Sequence, residues 1–160
     1  SPTSLLSVDA FTDAYDRYYV FGTSLKSATD NKNVNFRFRD SNGSLTDTVY
    51  ANAFEQYAIG TSGSNAHAGA SGNSSVTIAD SLGNDTGETF NFKMMVFNPT
   101  STSLNTTAYM ENSFRQTNET IKSYFGGIYY QTNTSIVGFE LFLESSVNWN
   151  AGQIKVFGVN

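Results

Sequence analysis

The stretch "ETFNFKMMVFNPT", residues 88–100, decides the fold. Phe90, Phe92, Met94 and Val96 fall at every second position, with Asn91, Lys93 and Met95 between them. A period of two belongs to an extended chain with one face in a core and the other outside. Asn98 then precedes Pro99. Proline has no N–H to give to a ladder, so the strand is expected to stop there.

The same period recurs on both sides of this stretch. In "VNFRFRD" (34–40), Val34, Phe36 and Phe38 oppose Asn35, Arg37 and Arg39. "SNGS" (41–44) follows as a turn, with Gly43 free to take positive φ. "YDRYYVFGTSL" (15–25) has the aromatic and β-branched content of a strand. "SYFGGIYYQ" (123–131) is a strand in which Gly126 and Gly127 signal a bulge or a close backbone approach. "SIVGFELFLESS" (135–146) sets Val137, Phe139, Leu141 and Leu143 on one face. "QIKVFGV" (153–159) is the last strand. The turn Asn148–Gly152 is expected to set its register, and the strand to close the sandwich.

Two segments lack this pattern. "VYANAFEQYAI" (49–59) reads equally as a helix, from Tyr50, Phe54 and Tyr57, or as a strand. Residues 60–75, "GTSGSNAHAGASGNSS", carry no apolar periodicity and are expected to form a flexible surface loop. Short strands separated by Asn, Gly and Ser turns predict one domain over residues 1–160. Its class is all-β, a single antiparallel β-sandwich, jelly-roll-like.

Composition narrows the function. Charged residues make up 14% of the chain, against roughly 25% in ordinary soluble domains. Polarity comes instead from Asn, Ser and Thr. The net charge of −5 argues against a nucleic-acid partner. No apolar run approaches the ~18 residues of a membrane span, so no membrane insertion is expected. No basic-then-apolar leader opens the chain. There is no Cys to form a disulfide or a thiolate nucleophile.

Catalytic constellations are missing from the pattern. The single histidine, His67, lies in the Gly/Ser/Asn segment, where nothing orients it as a base. Glu140 and Glu144 share a strand face four residues apart, about 13 Å by strand rise, too far for a glycosidase pair. They read, with Glu88, Glu111 and Glu119, as solvated residues. The acidic, Gly-containing loops at 40–47 and 80–88 offer Asp80, Asp85 and Glu88 as candidate cation ligands, with ordinary Asx turns as the alternative. No cofactor is expected. The six N-x-S/T sequons follow from an Asn-, Ser- and Thr-rich composition. Trp149, Tyr129 and Tyr130 are candidates for a sugar-stacking platform, or else Trp149 caps the core or a subunit contact.

The C-terminal half, "FKMMVFNPTSTSLNTTAYMEN" and "FGGIYYQTNTSIVGFELFLESSVNWNAGQIKVFGV", resembles a group of tailed-phage virion proteins common in marine and cyanobacterial viruses. Asn133, Thr134, Ser135, Ile136 and Gly138 match one part of that group's pattern. Ser145, Ser146, Asn148, Gly152, Ile154, Lys155, Phe157 and Gly158 match the rest. "YDRYYVFGTSLKSATDNKNVNFRFRDSNGS" resembles its paired opening strands, with Ala28-Thr29-Asp30 as the turn. Trp149 stands where the group carries an aliphatic residue. The resemblance implies a non-enzymatic structural or attachment module exposed on a phage virion, as capsid decoration or tail-fibre component. Its expected partners are other virion proteins, further copies of itself in a homo-oligomer (a trimer favoured), and a host surface glycan. A carbohydrate-binding, lectin-like module is the alternative. Tyr15, Tyr18, Tyr19, Tyr124, Tyr129, Tyr130 and Trp149 are the aromatic set from which a subunit contact is expected.

Overall fold

The computed structural model describes residues 5–60 and 65–160. Two antiparallel sheets pack face to face. The smaller contains β1 (Leu5–Asp9), β11 (Gly138–Leu143), β3 (Lys32–Asp40) and the short β4 (Gly43–Ser44) in that order, with β7 (Val76–Leu82) also pairing with β3. The larger runs β12 (Trp149–Val159), β2 (Arg17–Ser27), β8 (Phe90–Phe97), β9 (Thr107–Arg115), β10 (Ile121–Tyr130), β5 (Tyr50–Ile59) and β6 (Ala66–Asn73). The chain crosses repeatedly between the sheets, and the result is an all-β sandwich. No helix among the described residues is long and apolar enough to cross a membrane.

Alternation fixes which residues fill the space between the sheets. Phe90, Phe92, Met94 and Val96 of β8 are all buried, as are Val34, Phe36 and Phe38 of β3 and Phe139, Leu141 and Leu143 of β11. They join one aromatic-rich core. Phe36 meets Phe38 edge-on with ring centroids 4.9 Å apart and stacks on Phe139 at 5.9 Å. Area burial and ring geometry together hold the layers. Tyr50 reaches across from β5: its hydroxyl accepts the Phe38 N–H at 2.8 Å and donates to the Leu45 carbonyl at 3.2 Å. Burial pushes its pKa well above the ordinary tyrosine value.

A polar seam also joins the layers. The buried Asn112 amide of β9 donates to the Ile78 carbonyl of β7 and accepts the Tyr124 N–H of β10 at 2.8 Å. Asp80 of β7 accepts from Lys122 at 2.7 Å, from Gln116 at 3.0 Å and from the Tyr124 hydroxyl. Buried polar groups survive between apolar layers because each finds such partners.

Several expectations need correction. Of the two readings open for 49–59, the strand is the one that forms, as β5: Tyr50 and Phe54 face the core while Tyr57 is exposed on the outer face, a period of two rather than 3.6. The flexible loop expected over 60–75 is replaced at 66–73 by β6, which pairs with β5 from Gln56↔Ala66 to Tyr50↔Asn73. Backbone hydrogen bonds hold this strand without an apolar stripe. Residues 61–64 of that segment lie outside the described residues. The opening strands β2 and β3 do not pair with each other; residues 28–31 carry the chain from one sheet to the other. β12 begins at Trp149, so Asn148–Gly152 is an irregular strand start with register shifts, not a turn. Among the described residues β12 pairs with β2 alone and forms one edge of the larger sheet. At Gly126 the ladder runs without a register shift, and the close approach is the reason for glycine: an added Cβ would lie 1.9 Å from the Ala53 carbonyl oxygen.

Candidate binding surfaces

The three aromatic candidates do not form a platform. Tyr130 is fully buried in the core, while Tyr129, its neighbour on β10, points outward and is 40% exposed. Successive strand residues face opposite sides of a sheet, so the two rings cannot share a surface. Trp149 is buried at the far edge of the same sheet. Four strand steps separate it from β10, about 19 Å at the usual spacing. Burial raises the pKa of Tyr130, whose hydroxyl faces Thr132, Thr134 and Asp47 without closing a normal hydrogen bond. The indole N–H of Trp149 also has no partner among the described residues. Tyr129 alone is available to a ligand, and its hydroxyl accepts from the Asn105 amide at 2.6 Å.

Asp80, Asp85 and Glu88 do not converge either. Asp80 is committed to Lys122, Gln116 and Tyr124 in the seam between the sheets. Glu88 is buried; its carboxylate accepts the Asp85 N–H at 2.7 Å and packs where a Cβ on Gly83 would stand. Its chain N–H donates back to the Asp85 carbonyl at 3.0 Å. This is a turn closed by the Glu88 carboxylate and chain, which turns that carboxylate inward and away from Asp80. Among the described residues no group of three acidic, His or Cys side chains is arranged to hold a metal ion.

One charged cluster escaped the sequence reading. Glu140 is fully buried on the outer side of the smaller sheet, not solvated. It accepts from Arg37 Nε at 2.6 Å, from Arg39 at 2.8 Å and from the Ser44 hydroxyl. Burial alone would raise its pKa; the hydrogen bonds from Ser44, Arg37 and Arg39 outweigh that and hold it below the ordinary value. Arg37 lies over the Phe142 ring at 4.5 Å, and Arg39 also bonds Asp9 at 2.9 Å. Glu144 does not share this strand; it lies in a 3-10 turn at Glu144–Ser146. The cluster joins β1, β3, β4 and β11 as a structural brace.

The outer face of the larger sheet is the broad surface that remains. Strand register lays its residues out in transverse rows. One row runs Phe157, Tyr19, Met95, Tyr109, Gly127 and Ala53, ending at Gly69 on β6. It is uncharged throughout, bulky over β12, β2, β8 and β9 and nearly bare over β10, β5 and β6. The neighbouring row runs Lys155, Phe21, Lys93, Glu111, Phe125 and Glu55, ending at His67. Its cations lie toward β12 and its carboxylates toward β5, with Lys93 and Glu111 paired at 2.5 Å in the middle. Phe157 is 52% exposed and Tyr109 44% exposed. Neither row could be assembled from sequence, because strand order was not known.

No protein-family model, curated protein or solved structure matches this chain.

Proposed function

We propose that this chain is a non-enzymatic structural and attachment module exposed on a phage particle, as a capsid decoration or fibre component, and that it works as a homo-oligomer. The observation that carries the assembly reading is the self-complementary outer face of the larger sheet. Turn a second copy about a two-fold axis parallel to the strands, and its β12 end covers the first copy's β6 end. The bulky residues of β12, β2 and β8 then lie over the bare half, Tyr109 and Glu111 of the central β9 meet their own copies, and Lys155 lies over His67, one strand from Glu55. A patch that complements itself in shape and charge suits an isologous contact. The sequence reading favours a trimer, whereas this face favours a two-fold pair. Trp149, Tyr18, Tyr124 and Tyr130 are withdrawn from the contact because they are buried in the monomer.

The virion reading is supported by the resemblance. Its matching residues fall on β11, β12 and the segments that lead into them, which are framework positions rather than a reactive site. The test is immunogold labelling and mass spectrometry of purified particles. Label on particles is expected. A particle preparation in which the major capsid and tail proteins are detected and this chain is not would overturn the reading. Carbohydrate binding is the second reading. It is favoured by the cleft of about 470 Å³ between β5 and β6 and residues 73–80 rather than by Trp149, Tyr129 and Tyr130.

A further inference from the structure

β6 overhangs the sandwich. Most of its residues are exposed, with Ala68 alone half-buried, because the smaller sheet does not extend far enough to cover it. Beneath the overhang a cleft of about 470 Å³ opens between β5 and β6 on one side and the 73–80 segment on the other. That size suits one or two sugar rings and lies within the usual range of ligand pockets. The inward face of β5 brings Asn52, Phe54 and Gln56 into it at a stride of two, amide, ring, amide. Asn73, Ser74 and Ser75 stand at the opposite lip, and Ala68, Gly69 and Ala70 leave the volume open.

Two features define what the cleft can hold. First, the side-chain amides of Asn52 and Gln56 are half-buried, yet no described residue hydrogen-bonds either of them. Asn73, at the opposite lip, is also without a side-chain hydrogen bond among the described residues. An amide carries donors and an acceptor together. Each amide therefore matches a ligand group that both donates and accepts, as a hydroxyl does; four residues apart on one strand, about 13 Å, the two reach opposite ends of a ligand about two rings long. Second, the cleft is electrically balanced. Its one carboxylate, Asp80, is neutralised by Lys122 at 2.7 Å and holds two further donors. Neither an anion nor a cation finds an uncompensated charge there. The stacked rings of Phe54 and Tyr124, 6.1 Å apart, form the apolar base against which a sugar's C–H face can rest.

We infer that this inter-sheet cleft binds a neutral saccharide through Asn52 and Gln56. The biological meaning rests on the attachment reading, but the binding itself does not depend on where the chain sits. The test uses the whole chain on an array of neutral and acidic glycans, followed by calorimetry with the best neutral hit. Neutral glycans are expected to bind, with little dependence on salt because no net charge is engaged. Asn52→Ala with Gln56→Ala should weaken binding by about tenfold or more. Melting should be unchanged, since neither side chain makes a hydrogen bond that folding needs. Tyr129→Ala on the outer face should leave affinity unaltered. Absence of neutral-glycan binding at millimolar concentration overturns the inference. So does binding that survives the double substitution, or binding that fails with Tyr129→Ala. A chain found on particles but showing any of these results loses the cleft and keeps the virion reading.

Discussion

Glu140 shows how far one residue's environment can depart from its place in a pattern. Its alternation with Phe139 and Leu141 puts it on the outer face, and so it does lie there. What buries it is lateral cover: Arg37 and Arg39 from β3 and Ser44 from β4 close over the carboxylate. Period alone does not report such cover, because it depends on which strands become neighbours. Removing one member of a buried, paired cluster leaves uncompensated charge. Glu140→Ala is therefore expected to cost about 3–5 kcal/mol in chemical denaturation. The depressed pKa also sets a pH dependence. Its stabilisation is complete above the ordinary value of 4.5 and is lost as pH falls through the lower folded value. Glu140→Gln should lose that portion of the acid slope, and an unchanged acid profile would count against the brace. Gly126 and Gly127 give a second contrast at this scale. Gly126→Ala would force a Cβ into the Ala53 carbonyl, whereas a Cβ at Gly127 would lie 3.8 Å from the Ala108 carbonyl oxygen. Thermal unfolding should show Gly126→Ala destabilised by about 1–3 kcal/mol or more and Gly127→Ala near neutral. Equal effects would mean the close approach is not what selects glycine.

At the scale of elements, strands with strong apolar alternation were legible and the others were not. β8, β3 and β11 follow directly from "FNFKMMV", "VNFRF" and "GFELFL", because core burial and strand period demand the same residues. β6 had no such signal. Its Ala66, Ala68 and Ala70 do alternate, but alanine neither favours strands nor buries much area. The strand exists through its ladder to β5. It should therefore be among the least protected of the large-sheet strands. In native-state hydrogen exchange, β6 amides are expected to open before those of β8 and β9, which are paired on both sides. Protection of β6 equal to that of β8 would show that something further covers the edge. β12 was legible as a strand, but its status as an edge was not, since pairing order is a property of the whole chain. Trp149 at its start belongs to the core. Trp149→Ala should lower stability by about 3–5 kcal/mol, read as a fall in the unfolding midpoint.

For the whole molecule, the sandwich class was legible from strand spacing and alternation, while the candidate surfaces appear only once seven strands are ordered. Row composition on the outer face depends on registers such as Phe157↔Tyr19, Met95↔Tyr109 and Gly127↔Ala53, each joining residues distant in sequence. These rows carry the assembly prediction. Bulky side chains over β12, β2 and β8 need a partner with little bulk, and the β10 to β6 half of another copy supplies it, while Tyr109 of the central β9 meets its own copy. The opposed charges of Lys155 and Glu55, one strand apart across the two-fold, favour this orientation, and Lys93 compensates each Glu111 at the centre. Sedimentation at tens of micromolar is expected to show a two-fold species. Tyr109→Glu, which puts an uncompensated carboxylate in the uncharged row, should shift it to monomer without lowering the melting temperature of the monomer itself. Lys155→Glu should weaken the pair, and Lys155→Glu with Glu55→Lys should restore it, since the swap preserves complementarity across the two-fold. A wild-type chain that stays monomeric throughout, or a double swap no better than the single change, would remove this face from assembly. A stable trimer that ignores both substitutions would place the subunit contact elsewhere, returning it to the edges or to the smaller sheet.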